Sequence, residues 1–218
     1  MNVIKLDLDK VNAYLIEENG QFILVDTGGY MLADGKTLNS RRAELEKLLE
    51  QNGCTKENMK LLILTHGDND HCMNAAYIKE KYEIPIAMHA ADRELVENPT
   101  LELAMKSFHY RSFGMKLFGK LMNGICEKVM RKTLADFTTF TPDIFLKDGD
   151  SLEQYGFHGT ILHLPGHTPG SIGILLENQT IIVGDAGKNA MNALDFKAFD
   201  ESVKKIEACN PLKIYTGH

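Results

Sequence analysis

A chain of 218 residues, 44% of them hydrophobic, is long enough to bury a substantial core and reads as one domain over 1–218. Its 24 lysines and arginines against 30 aspartates and glutamates leave a net charge of −6, and no run of basic residues forms a stripe, so nothing here supports a nucleic-acid partner. The opening stretch "MNVIKLDLDKVNAYLIEENG" has neither the apolar heart of a signal peptide nor a membrane span, and Cys54, Cys72, Cys126 and Cys209 form no C-x-x-C pair; a cytoplasmic chain with reduced thiols and no membrane partner is expected.

In chain order, "NVIKLDL", "NAYLIEE" and "QFILVDT" read as three short strands, with "ENG" at 18–20 as the tight turn between the last two. "LNSRRAELEKLLEQNG" reads as a surface helix with Asn39 or Ser40 as its cap and Gly53 as its stop. "KLLILT" is a strand buried on both faces, "HCMNAAYIKEKY" a helix, and "IPIAMH" a strand. Residues 101–133 break this alternation: Phe118, Leu121, Met122, Ile125 and Val129 recur at helical spacing, while Gly114, Gly119 and Gly124 weaken the helix locally. A helical insertion over about 91–140 follows, packed on its own domain or serving as a lid whose methionines and phenylalanines line a substrate pocket or a homodimer contact. "GTILHLP", "SIGILLE", "TIIVGD" and "PLKIYTG" read as later strands, and "DFKAFDESVKKIEAC" as the last helix.

Chemistry concentrates at strand ends. "LTHGDNDHC" sets His66, Asp68, Asp70 and His71 within six positions after a buried strand, and imidazole with carboxylate suits Zn²⁺, Fe²⁺ or Mn²⁺. His167 in "LPGHTPGS", Asp185 in "IIVGDAG" and His218 in "IYTGH" each follow a further strand, so four strand ends deliver metal-grade side chains. Cys72, beside His71, reads as a packed thiol rather than a ligand.

With "HGDNDH", "GHTPGS", "GD", "GH", "NAYLIE" and "LVDTGG" together, the chain resembles the metallo-β-lactamase superfamily over almost its whole length. The resemblance implies an α/β (α+β) fold, an αββα sandwich with a dinuclear metal site at one rim. Carried over by motif, His66, Asp68 and His167 hold one divalent ion, Asp70, His71 and His218 the other, and Asp185 bridges them. Zinc is the first expectation, with manganese or iron as alternatives. Asp26 in "LVDTGG" is expected beside the site, orienting a ligand or forming a turn.

Asp68 departs from the family pattern H-x-H-x-D-H, in which the second histidine binds through its δ nitrogen; a carboxylate oxygen lies the same number of bonds from Cβ. The extra carboxylate makes the centre less positive, which favours harder metals and acidifies a bound water less. The chain also stops on His218, where family members usually continue: either it is truncated or its α-carboxylate sits beside the site.

The resemblance implies a metal-dependent hydrolase in which a metal-bridging hydroxide attacks an ester-like bond of a small molecule (lactone, thioester, β-lactam or phosphodiester) and Asp70 orients the nucleophile while ligating. A glyoxalase-type thioesterase is weakened by the lack of a helical domain after His218, and the apolar lid favours acylated substrates. The alternatives are a diiron oxidoreductase acting on oxygen or nitric oxide with a separate electron donor, and a catalytically impaired binding or sensing homologue. Lys188, His109 and Tyr110 are the candidate substrate contacts.

Overall fold

The computed structural model describes residues 1–29, 31–32, 38–106, 110–187 and 192–218, and only the backbone of residues 31, 32, 38, 39 and 118. The expected opening meander is present: β1 (Asn2–Asp7), β2 (Asn12–Glu18) and β3 (Gln21–Val25) pair antiparallel in sequence. Asn19 and Gly20 both take positive φ, 52° and 75°, which is the backbone a two-residue hairpin turn requires. After the short antiparallel pair β4 (Met31–Leu32) and β5 (Leu38–Asn39), helix α1 spans Arg42–Gln51. Neither Asn39 nor Ser40 caps it: the cap position is Arg41, in the left-handed region at φ 58°, with no side-chain cap bond.

Strand β6 (Met59–Ile63) pairs parallel with β3, and β7 (Ile86–His89) parallel with β6. Between them the expected single helix is two, α2 (Asn69–Cys72) and α3 (Ala75–Tyr82). Asn74 lies at the break, where its side-chain amide donates to the carbonyls of Thr27 and Ser40, 2.9 and 2.7 Å away. Tertiary bonding has overridden a favourable helical pattern there.

The insertion holds α4 (Arg93–Glu97), α5 (Leu101–Met105) and the 24-residue α6 (Phe113–Asp136). Ser112 caps α6 by accepting the Met115 amide, and the helix runs unbroken through Gly114, Gly119 and Gly124. At Gly119 a β-carbon would lie 2.5 Å from the Tyr110 ring, so the glycine makes room for that ring against the helix. A short strand that the sequence does not announce, β8 (Ile144–Leu146), completes the first sheet beside β7. The sheet order is β1-β2-β3-β6-β7-β8.

The second sheet comprises β9 (Gly159–His163), β10 (Ile172–Leu176), β11 (Thr180–Ile182) and β12 (Lys213–Tyr215), with helix α7 (Phe196–Ala208) between the last two. Its order is β12-β11-β10-β9, with β11 and β12 parallel and the other pairs antiparallel.

Strand alternation assigns the layers. Ile16, Ile23, Leu61, Ile63, Ile161, Ile174 and Ile182 share one buried cluster between the sheets. Their neighbours Leu15, Leu24, Leu62 and Leu64 turn to the opposite face and pack with Leu45 and Leu49 of α1 and Ile78 of α3. Leu162, Leu164, Ile181 and Val183 pack with Ile206 of α7. The result is the expected αββα sandwich, in which each fully buried Leu or Ile contributes about 1.5–3 kcal/mol. Among the described residues, no helix is long and apolar enough to cross a membrane.

Candidate metal centre

Both sheets send chain to the same rim. From the first, β3 runs into Asp26, and β6 into Thr65 and His66, with Asp68, Asp70 and His71 following on the cap and body of α2. From the second, β9 leads to His167, β11 to Asp185 and β12 to His218. The seven side chains gather into three groups whose candidate ligand atoms lie within 4.8 Å of one another: His66, Asp68 and His167; Asp70, His71 and His218; and His66, His71 and Asp185. Asp185 stands between the other two sets: its oxygens are 3.3 Å from His71 Nε2, 3.5 Å from His167 Nε2 and 3.4 Å from His218 Nε2. Asp68 reaches His167 Nε2 at 3.1 Å and His66 Nε2 at 3.9 Å. Gly217 permits this closeness, since a β-carbon there would lie 2.3 Å from Asp185 and 2.5 Å from the His71 ring.

Hydrogen bonds behind the rings fix which nitrogen faces inward. Asp26, itself at φ 60°, accepts the Thr65 amide, the Thr65 hydroxyl and His71 Nδ1, each at 2.8 Å. Since the Thr65 hydroxyl gives its one proton to Asp26, its oxygen accepts from His66 Nδ1 at 3.0 Å. His167 Nδ1 donates to the Asn192 carbonyl at 3.1 Å, and His218 Nδ1 to the Lys10 carbonyl at 2.5 Å. All four imidazoles therefore carry the δ proton outward and turn Nε2 toward the centre, the tautomer a cation needs. His66 Nε2, His71 Nε2 and Asp185 Oδ1 are buried without a hydrogen-bond partner. Three orphaned polar atoms at one point would be costly in a site that holds nothing, and their donor types fit divalent ions.

Charge without metal follows from the same geometry. Burial, aided by the neighbouring His71 and His167, pushes His66 down to about 4. Burial also depresses His71 and His167, but Asp185 and Asp26 carry His71 well above its ordinary value, and Asp68 with Asp185 carries His167 up to about 9. The hydrogen bonds of Asp185 and Asp70 hold His218 up at about 10. Burial opposes ionisation of Asp70, yet His218 and His71 bring it down to about 2. Asp70 and Asp185 are thus held as anions while His71, His167 and His218 keep protons, and a metal ion would take the place of those protons.

One residue that sequence reasoning did not single out joins the two ligand loops. Asp92, fully buried, accepts the Gly67 amide at 2.9 Å, the Gly170 amide at 2.7 Å and the Thr168 hydroxyl at 2.6 Å. Gly67 lies between His66 and Asp68, and Thr168 follows His167. Burial raises the Asp92 carboxyl to about 6, against the pull of these donors. Asp26 occupies the expected place beside the site, and Cys72 is buried against the Gly67 carbonyl, outside the ligand groups.

Of the candidate substrate contacts, His109 and Lys188 lie outside the described residues. Tyr110 pairs with Asn192 in an antiparallel bridge and lines a cavity of about 730 Å³ with Met105, Lys116, Lys120, Leu194 and Phe196. The Leu194 amide donates to the His167 carbonyl at 3.1 Å, which ties this segment to the His167 loop.

Known proteins share this architecture. Hydroxyacylglutathione hydrolase GloC of Haemophilus influenzae is 30% identical over 145 residues, 65% of this chain and 56% of that protein's length. The chain thus spans just over half of that relative. The crystal structure of BLEG-1 B3 metallo-beta-lactamase superimposes with a TM-score of 0.70 at 20% identity, covering 100% of this chain and 91% of that one. TTHA1623 in a di-iron-bound form superimposes with a TM-score of 0.61 at 22% identity, covering 100% and 92%. These two likenesses speak to the fold. The family model described as metallo-beta-lactamase superfamily matches residues 6–218, so the chain belongs to the metallo-beta-lactamase superfamily.

Proposed function

We propose that the chain is a metal-dependent hydrolase of a small molecule with an ester-like bond, a lactone, thioester, β-lactam or phosphodiester, using two divalent ions held by His66, Asp68, Asp70, His71, His167, Asp185 and His218. The observation that carries this reading is the convergence of the buried, unpartnered Nε2 atoms of His66 and His71 with Asp185 Oδ1 at a point flanked by two further histidine–carboxylate sets. Zinc ranks first; manganese and iron are favoured by the oxygen-rich donor set that Asp68 creates. When bound, such ions polarise a substrate oxygen and lower the pKa of water. Asp70, held ionised, would accept a hydrogen bond from the attacking water and orient it. The cavity of Tyr110, Leu194 and Phe196, whose Leu194 amide is bonded to the His167 carbonyl, would take the acyl part of a substrate. The name of the Haemophilus relative puts acylated glutathione at the head of the substrates to test. The free cysteines, with Cys54 and Cys72 buried, accord with a reducing cytoplasm.

The test is elemental analysis of protein purified without added metal, followed by hydrolysis assays on lactone, thioester, β-lactam and phosphodiester panels. About two ions per chain and turnover lost on chelation and restored on reloading are expected. A full metal complement with no turnover on any panel would overturn the hydrolase reading, and two irons with no hydrolysis would direct attention to redox chemistry.

A further inference from the structure

Helix α6 leaves an apolar stripe in the open. Phe113, Leu117, Leu121 and Ile125 recur at four-residue steps, with 83%, 63%, 81% and 55% of their surfaces exposed. The stripe covers about 18 Å of helix at 1.5 Å per residue and, with 3.6 residues per turn, stays within about a third of the circumference. Beyond Ile125 the same face carries exposed Lys128, Arg131 and Lys132, and exposed Lys116 and Lys120 border the apolar part. Residues 106–132 hold seven lysines and arginines against one glutamate, a net +6; the rest of the chain holds 17 basic and 29 acidic residues, a net −12. Five of the seven, Lys116, Lys120, Lys128, Arg131 and Lys132, lie on α6, spaced so that the helix gathers what the sequence spreads; Arg111, before the helix, pairs with Asp200.

We propose that this face of α6 docks the protein on a membrane surface rich in anionic lipid. An apolar front set among lysines, on a chain otherwise acidic, matches an interface whose headgroups are negative and whose acyl region accepts Phe and Leu. A second copy of the chain matches it poorly. A two-fold contact would set lysine-rich faces against one another. A surface helix of this kind is apolar on one face only, so a linear pattern does not announce it. Lys116 and Lys120 also line the cavity of Tyr110 and Leu194, so docking would bring that cavity close to the lipid.

Flotation of the full chain with vesicles of phosphatidylcholine alone, and of phosphatidylcholine with phosphatidylglycerol, tests the proposal. Binding to the anionic vesicles only, weakened by salt, is expected. The double substitution Leu117→Ser and Leu121→Ser should weaken it at least ~10-fold, and Lys128→Glu with Lys132→Glu should weaken it too, while circular dichroism shows unchanged helix content because all four side chains are exposed. No binding, equal binding to neutral vesicles, or binding indifferent to both double variants would overturn it. So would a lipid-free dimer that dissociates on Leu117→Ser and Leu121→Ser, which would make a second copy the occupant.

Discussion

At the scale of single residues, the centre is defined by which atom of each side chain faces in. Thr65 illustrates how little freedom remains: its one hydroxyl proton goes to Asp26, and this leaves His66 no choice of tautomer. In the metal-free protein at neutral pH, His71, His167 and His218 hold protons, since their pKa values lie well above the ordinary one, at about 9 and at about 10 respectively. Ligation requires the neutral ring, so metal binding must expel those protons, and affinity should rise with pH through about 9 and about 10, as His167 and His218 lose theirs without help. Titration calorimetry in buffers of different ionisation enthalpy should show about three protons released per fully loaded site near pH 7. Release near zero would mean that these rings do not bind metal.

Elements matter here through the loops they hold together. Asp92 sits at the end of a 3₁₀ turn after β7 and binds one loop 25 residues before it and another 76 and 78 residues after it. Asp92→Ala would leave two buried amides and a hydroxyl without this acceptor, and should cost about 3 kcal/mol or more of stability. Metal affinity should fall on the order of 10–100-fold, as for other groups that orient ligands. Chemical denaturation of the metal-free variant measures the first effect, and metal competition with a chromophoric chelator the second. Normal metal affinity in a destabilised variant would reduce Asp92 to a packing role. Such a residue is hard to find from sequence, because "AAD" carries no spacing signal and its partners are mostly backbone amides. Asn74 escapes a linear reading for a related reason: its pattern is helical, and only the carbonyls of Thr27 and Ser40, brought near by the fold, make it a break.

For the whole molecule, the site spans the join between two sheets. His66, Asp68, Asp70 and His71 belong to the first, and His167, Asp185 and His218 to the second. Bound metal should therefore tie the layers together, and stripping it should lower the thermal midpoint, with about 2.7 kcal/mol lost relative to protein held at free metal one hundred times the dissociation constant. Differential scanning calorimetry with and without chelator checks this, and an unchanged midpoint would place the ions outside the folded core. The sequence by itself determined the αββα layering through the motifs that carry the family resemblance, and it marked all seven candidate ligands, because each sits in a short motif after a buried strand. Helix α6 was also legible, although its unpartnered face was not, since a periodic pattern does not say which apolar residues find neighbours. Only the tertiary structure decided the rest: that the three motif groups meet, that carbonyls of Lys10 and Asn192 orient His218 and His167, and that Asp92 joins two loops. Backbone acceptors have no residue-specific signature and long-range partners share no local spacing, so neither leaves a trace in a linear pattern.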